Sequence, residues 1–330
     1  MTPVRREPPR RLPTLRAEVN AIKKQILKRL LHLAVIIIGL SFLTYLLMYI
    51  SPGDPAQKKL TAQGISVSEE TLEAAREELG LNDPFLLRYA KWLGGALTGD
   101  LGVSYKDGIS VSHKLVQALR YTLILSLSSL ALALAAALPL SVITAVKKDG
   151  VLDNIVRILS FIGNSLPNFL ISVLLMYFFC IKAKLLPVIA DESVKGLILP
   201  CLALSIPMCS RFVRQFRAEV LEQLGRSYVL GARARGVKSS VILYKNVLHN
   251  AMIPILTIVA LSVGTLLGGS VVVETIFRWP GLGKLVMDAI TARDYPVIQG
   301  FVIFTSCVYV LINLAADICY RRLDPRVEEM

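Results

Sequence analysis

Six apolar blocks divide this chain, at residues 31–50, 122–146, 158–179, 197–210, 253–273 and 297–316. A helix needs about 20 mostly apolar residues to cross the hydrocarbon core of a bilayer, and most of the blocks have that length. Inside lipid no water is available to backbone N–H and C=O groups, so such blocks must be helices that satisfy their own hydrogen bonds. The fourth block is short and holds Pro200 and Pro207, but the basic residues at its ends, Lys195 and Arg211, suit a span. No cleavage pattern precedes the first block, whose basic flank suits a retained anchor. With 54% hydrophobic and 18% charged residues, the chain exceeds what a soluble core requires. The expected fold class is an all-α polytopic membrane protein with six transmembrane helices.

The charges orient it. Segments 1–30, 147–157, 211–250 and 321–330 carry 23 Lys/Arg against 9 acids, whereas 51–120, 182–196 and 274–296 carry 14 of each. Positive charge concentrates on the cytoplasmic side of membrane proteins, so both termini are expected there, in a multi-pass protein of the cytoplasmic membrane. The formal net charge of +13 then reflects topology, and a nucleic-acid partner has no part in the reading. The expected organisation is a basic tail at 1–28, a membrane domain at 29–320 and a second tail at 321–330. Within the domain, 51–118 forms a helical extracytoplasmic segment and 211–252 a cytoplasmic loop.

Several function classes lose support. The six blocks contain no Asp, Glu, Lys or Arg, although ion-coupled transporters place ionisable groups inside the membrane. The chain has no G-x-x-x-x-G-K-[ST] phosphate loop. Gly281-Leu-Gly-Lys284 resembles half of one but reads as a turn entering a short helix. Nucleophile elbows and metalloprotease motifs are also missing, so the chain is not expected to be an enzyme. Cys201 and Cys209 lie about 12 Å apart along a helix, too far to ligate one ion together, and read as buried structural residues. His32, His113 and His249 are dispersed, so no metal site is drawn.

The segment after the first block has helix signals of its own. Ser68 is a candidate N-cap, Glu69 and Glu70 suit a first turn and Gly80 a stop. Asp83-Pro84 begins a second helix, in which Phe85, Leu86, Tyr89, Trp92 and Leu93 recur at helical spacing. That apolar face either lies in the outer membrane interface or, the favoured reading, packs over the bundle as a cap.

Between the fourth and fifth blocks, residues 211–250 hold eight Lys/Arg against two acids. At their centre, Ser227 caps a short helix that Gly236 stops, with Tyr228, Ala232 and Arg235 on one face. A helix this short is marginal in water and needs a surface. Composition alone fits two surfaces, lipid phosphates or a protein partner.

The order of motifs narrows that choice. Ser51-Pro-Gly-Asp-Pro-Ala56, Leu79-Gly-Leu-Asn-Asp-Pro84, Gly99-Asp-Leu-Gly102, Ser165-Leu-Pro-Asn-Phe169 and Ala232-Arg-Ala-Arg-Gly236 are followed by Asn250-Ala-Met-Ile-Pro254. Glu274-Thr-Ile-Phe-Arg-Trp-Pro-Gly-Leu-Gly283, Arg293-Asp-Tyr-Pro-Val-Ile-Gln299 and Leu323-Asp-Pro-Arg326 complete the series. From about residue 25 to 327 the chain resembles the binding-protein-dependent ABC importer permeases, most closely the dipeptide, oligopeptide and nickel branch. It departs from the broader importer pattern where Leu230-Gly-Ala232 replaces Glu-Ala-Ala, and in the long interval from Gly236 to Pro254.

The resemblance implies a type I importer permease fold that carries short peptides or nickel, free or chelated, by alternating access. It makes Ser227, Tyr228, Ala232, Arg233, Arg235 and Gly236 the coupling helix that docks into a groove of an ATPase subunit. The implied partners are a second permease subunit in a heterodimer, two ABC ATPase subunits and an extracytoplasmic solute-binding protein. ATP and Mg would reside in the ATPases, leaving this chain without a cofactor. Asn164, Ser165, Asn168 and Met208 are candidates for the substrate path, with helix-to-helix hydrogen bonding as the alternative role of the polar three. An ATP-independent channel or facilitator, and a membrane scaffold or sensor, are the competing function classes.

Overall fold

The computed structural model describes residues 35–62 and 64–323. The tail expected at 1–28, the start of the first block and residues 324–330 lie outside them. The described residues are helical, with one isolated β-bridge between Val103 and Ser110. Helix α1 (Val35–Ile50) is followed at an angle of 76° by α2 (Pro55–Ala62). Then come α3 (Glu69–Glu78), α4 (Phe85–Leu97) and the long α5 (Val111–Val146). α6 (Val151–Ser165) and α7 (Asn168–Leu175) precede α8 (Val194–Leu224) and the short α9 (Ser227–Ala234). A turn of helix, α10 (Ser239–Val241), leads through a π-helical stretch into α11 (Leu248–Phe277), followed by α12 (Leu282–Ala292) and α13 (Tyr295–Leu323).

Four helical stretches are long and apolar enough to cross a membrane, or six if two bent pairs are counted as one span each. Helix α8 is the centre of the bundle. Its 31 residues correspond to about 46 Å, longer than the roughly 30 Å hydrocarbon core. The fourth apolar block, the weakest in sequence, therefore belongs to a continuous helix that retains both prolines and runs on past Arg211. On α5, Ser126, Ser129, Ala133, Ala137, Ser141 and Thr144 are buried at spacings of three and four. Such small side chains let membrane helices approach closely, and the buried hydroxyl of Ser129 is satisfied by the Leu125 carbonyl at 2.7 Å.

Two expectations change. The block at 158–179 is not one straight helix, because α6 and α7 meet at 103°. Pro167 has no N–H to donate and forces the residue before it out of the α region, and Leu166 is extended, with φ −80° and ψ 128°. The face of α4 does not cap the bundle but lies along α1 from Ser41 to Tyr49. Phe85 packs edge-on to Phe42 and Tyr45 at 5.8 and 5.4 Å, and the Tyr89 hydroxyl lies 2.9 Å from that of Ser41.

The segment between α1 and α5 otherwise follows its sequence signals. Ser68 caps α3 in a reciprocal pair with Thr71, and Gly80, at φ +63°, closes the helix as Gly80 and Leu81 N–H donate to the Glu77 and Arg76 carbonyls at 3.0 and 2.9 Å. Asp54 accepts the Ala56 N–H at 2.9 Å to begin α2 and pairs with Arg76 of α3 at 2.7 Å. Asp83 does not cap α4, which starts at Phe85 with Pro84 in the cap position; its carboxylate pairs with Lys91 at 2.6 Å.

Candidate functional site

The loop between α8 and α11 is a folded unit. Helix α9 begins at Ser227 itself, with Arg226 in the cap position and no side-chain cap, so Ser227 does not have the capping role expected of it. The stop is as expected. Gly236 has φ +72°, a left-handed conformation that costs a residue with a Cβ about 1–2 kcal/mol. Gly236 N–H donates to the Arg233 carbonyl at 3.0 Å and Val237 N–H to the Ala232 carbonyl at 3.1 Å, the paired bonds of a Schellman closure.

The helix is fastened by one face. Val229 is fully buried and Ala232 nearly so, in a cluster with Phe216 and Val220 of α8, Ile242 and Val247. Tyr228 packs against the same cluster and its hydroxyl donates to Gln223 Oε1 at 3.1 Å. The expected grouping of Tyr228, Ala232 and Arg235 is therefore divided, with the first two facing inward and Arg235 exposed. Leu230, 62% exposed, joins Arg233 and Arg235 on the outward surface.

α8 joins this unit to the membrane helices through a buried ion pair. Arg217 donates from Nε to Asp153 Oδ1 at 2.8 Å and from Nη2 to Oδ2 at 2.7 Å. Asp153 stands at the start of α6 and also accepts the Asp149 N–H at 2.9 Å. A bidentate pair fixes orientation as well as distance, so the base of α6 is held to α8 two turns before the loop.

At the other end of α6, the break places Asn164 and Asn168 on either side of Leu166-Pro167. Neither side-chain amide hydrogen-bonds within the described residues. Ser165 is exposed and returns its hydroxyl to the Phe161 carbonyl at 2.8 Å. These three share one region, but Met208 does not join them. It is 8% exposed in the core cluster of α5, α8 and α11. Cys201 is likewise buried and Cys209 half-buried, and the described residues contain no group of His, Cys, Asp and Glu able to hold a metal.

Residues 137–329 match the family model described as "Binding-protein-dependent transport system inner membrane component", and residues 22–126 match its N-terminal companion. The chain belongs to this family. It is 36% identical over 310 residues to the probable peptide ABC transporter permease protein y4tP of Sinorhizobium fredii, covering 92% of this chain and 98% of that one. To the nickel import system permease protein NikB of Staphylococcus aureus it is 36% identical over 305 residues, 92% of each. Among solved structures, the inward-facing MetNI methionine ABC transporter aligns with a TM-score of 0.54 at 20% identity, over 64% of this chain and 96% of that one. An amino acid ABC transporter with histidines gives 0.53 at 15% identity, over 65% and 94%. The protein is thus a multi-pass ABC importer permease, and the facilitator and scaffold readings fall away.

The permease also contains a buried carboxylate that the sequence offered only as the first residue of a motif, with no role attached. Glu274, fully buried at the end of α11, accepts the Thr122 hydroxyl at 2.8 Å and the Gly283 and Lys284 N–H groups at 2.6 and 3.3 Å. Thr122 in turn accepts the Leu282 N–H at 2.8 Å. The N-terminus of α12, the half phosphate-loop motif of the sequence, is therefore already filled by a side chain of the same chain. Trp279 Nε1 donates to the Tyr121 carbonyl at 3.0 Å, so the Glu274–Gly283 motif fastens α11, α12 and α5 together. Asp294 does the same for the next motif, accepting the Tyr105 N–H at 2.9 Å and the Ser104 hydroxyl. A glutamate and a threonine 152 residues apart give no local signal that they meet.

Proposed function

We propose that this permease is one of two membrane subunits driven by a pair of ABC ATPases, with α9 as the coupling helix. The observation that carries the reading is the construction of α9. It is anchored inward by Val229 and Ala232, closed by Gly236, and presents Leu230, Arg233 and Arg235 outward. ATP and Mg belong to the ATPases, and an extracytoplasmic binding protein delivers the solute. The solute is a short peptide or nickel, free or chelated, in keeping with the names of the relatives. Both termini and the 211–252 loop lie in the cytoplasm.

The α6–α7 break is the proposed wall of the substrate path. An amide left unbonded in an apolar setting costs roughly 2–7 kcal/mol, so Asn164 and Asn168 require polar surroundings, and a cavity between two permease subunits supplies them. Discontinuous helices mark the substrate site in many transporters. Nucleotide-driven closure of the ATPases moves α9, and α8, rigidly tied to α6 by Arg217–Asp153, passes that movement to the break.

Gly236→Asp tests the coupling role. A Cβ at Gly236 meets nothing within 4 Å, and Asp is among the residues that tolerate left-handed backbone. The variant is expected to insert normally and to lose uptake and ATPase association, because only a docked partner feels the new side chain. Full uptake by the inserted variant would remove α9 from the coupling role. Uptake of radiolabelled nickel and of a labelled dipeptide, with and without the chain, identifies the solute.

A further inference from the structure

On the side opposite α9, a cavity of about 400 Å³ opens between α1, the end of α3, α4 and the start of α13. Its size falls within the range of small-molecule sites, and its walls are aromatic, with Tyr45, Tyr49 and Trp92 among the lining residues. The acids on its rim are already neutralised, Glu78 by Lys59 at 2.8 Å and Asp83 by Lys91 at 2.6 Å. Arg88 is not. Its guanidinium donates to the Tyr45 hydroxyl and the Leu81 carbonyl, each at 3.2 Å, and lies over the Tyr45 and Tyr49 rings at 5.7 and 5.9 Å. No carboxylate among the described residues pairs with it, and a guanidinium has five N–H donors, so donor capacity remains.

Three residues lining the cavity carry a polar group without a partner. Trp92 Nε1 and the Tyr295 hydroxyl are buried without a hydrogen bond, and Gln299, only 3% exposed, makes none with its amide among the described residues. Buried polar groups are otherwise almost always satisfied. Burial pushes the neighbouring Tyr105 hydroxyl up to about 12, so it stays a neutral donor and acceptor. One unpaired cation and one unpaired primary amide within an aromatic wall define a complementary ligand: an anion, an amide partner and an apolar body.

We propose that this outer cavity is a binding site for a small amide-bearing carboxylate, whose anion pairs with Arg88, whose amide is read by Gln299 and whose apolar body lies against Tyr45, Tyr49 and Trp92. The site is separate from the α6–α7 break and from the coupling helix, and binding there requires neither nucleotide nor a partner subunit.

The chain contains two tryptophans, and Trp279 is buried against Tyr121 in another cluster, so emission changes on adding a ligand report Trp92. With the full chain in lipid nanodiscs, N-acetyl-L-leucine is expected to give a saturable change that N-acetyl-L-leucinamide, lacking the anion, does not. Arg88→Gln is expected to weaken the response about tenfold or more and Arg88→Lys to restore part of it, as loss of a charge contact implies. Gln299→Glu, similar in shape, sets a second negative charge in the cavity and is expected to abolish the response, which keeps the test intact if Arg88 variants fold poorly. Equal responses to the acid and the amide, or no saturable response, would overturn the site. A response to octanoate but not to N-acetyl-L-leucine would overturn the amide-bearing assignment in favour of a lipid-derived acid. Because the assay reads this chain alone, its failure leaves the coupling role untouched.

Discussion

Glu274 illustrates how a single side chain can hold a membrane fold together. It is the common acceptor for Thr122, Gly283 and Lys284, and truncation leaves those donors unsatisfied in a dry site. Glu274→Ala is expected to cost about 3 kcal/mol, while Glu274→Gln, which keeps one acceptor oxygen and the side-chain shape, is expected to cost less. Thermal unfolding followed by fluorescence-detected size exclusion gives the order wild type, Gln, Ala; equal melting of Ala and wild type would refute the role. The sequence placed Glu274 at the head of a motif but gave no sign of its burial or its partners, since Thr122 lies 152 residues away. Gly236 was legible, because a glycine after a short helix has one physical use, whereas Val229 was not, being one apolar residue in a basic loop.

At the scale of elements, helix stops and the cap at Ser68 were legible locally, the caps expected at Ser227 and Asp83 were not formed, and long-range contacts gave no signal. The N-cap at Ser68 and the stop at Gly80 bound α3 as expected, since both signals lie within a few residues of their effect. The 103° break in the third span was announced by Pro167, yet an apolar run of ordinary span length concealed it. The bond between α6 and α8 was invisible, because Asp153 and Arg217 lie 64 residues apart. That pair carries a prediction of its own. Arg217→Met leaves a buried carboxylate without its cation, and the melting temperature is expected to fall by about 5 °C or more. Replacing both residues, Asp153→Leu with Arg217→Met, removes the orphaned charge and is expected to recover most of the loss. If the double variant melts no higher than Arg217→Met alone, the pair is not the unit described here.

For the whole molecule, the arrangement of charge and the arrangement of helices make one joint claim. Segments 1–30, 147–157, 211–250 and 321–330 hold 23 Lys/Arg against 9 acids, and 51–120, 182–196 and 274–296 hold equal numbers, so the positive-inside rule favours a cytoplasmic α9. The proposed coupling role requires the same assignment for a separate reason, since a coupling helix must face the compartment that supplies ATP. Cysteine accessibility tests both. With the native cysteines replaced by serine, exposed Lys106 in the segment before α5 and exposed Lys238 beyond α9 are changed singly to cysteine. A membrane-impermeant maleimide added to intact cells is expected to label Lys106→Cys at once and Lys238→Cys only after permeabilisation. The reverse pattern would place α9 outside the cell, beyond reach of any cytoplasmic ATPase, and the charge asymmetry and the coupling role would fail together.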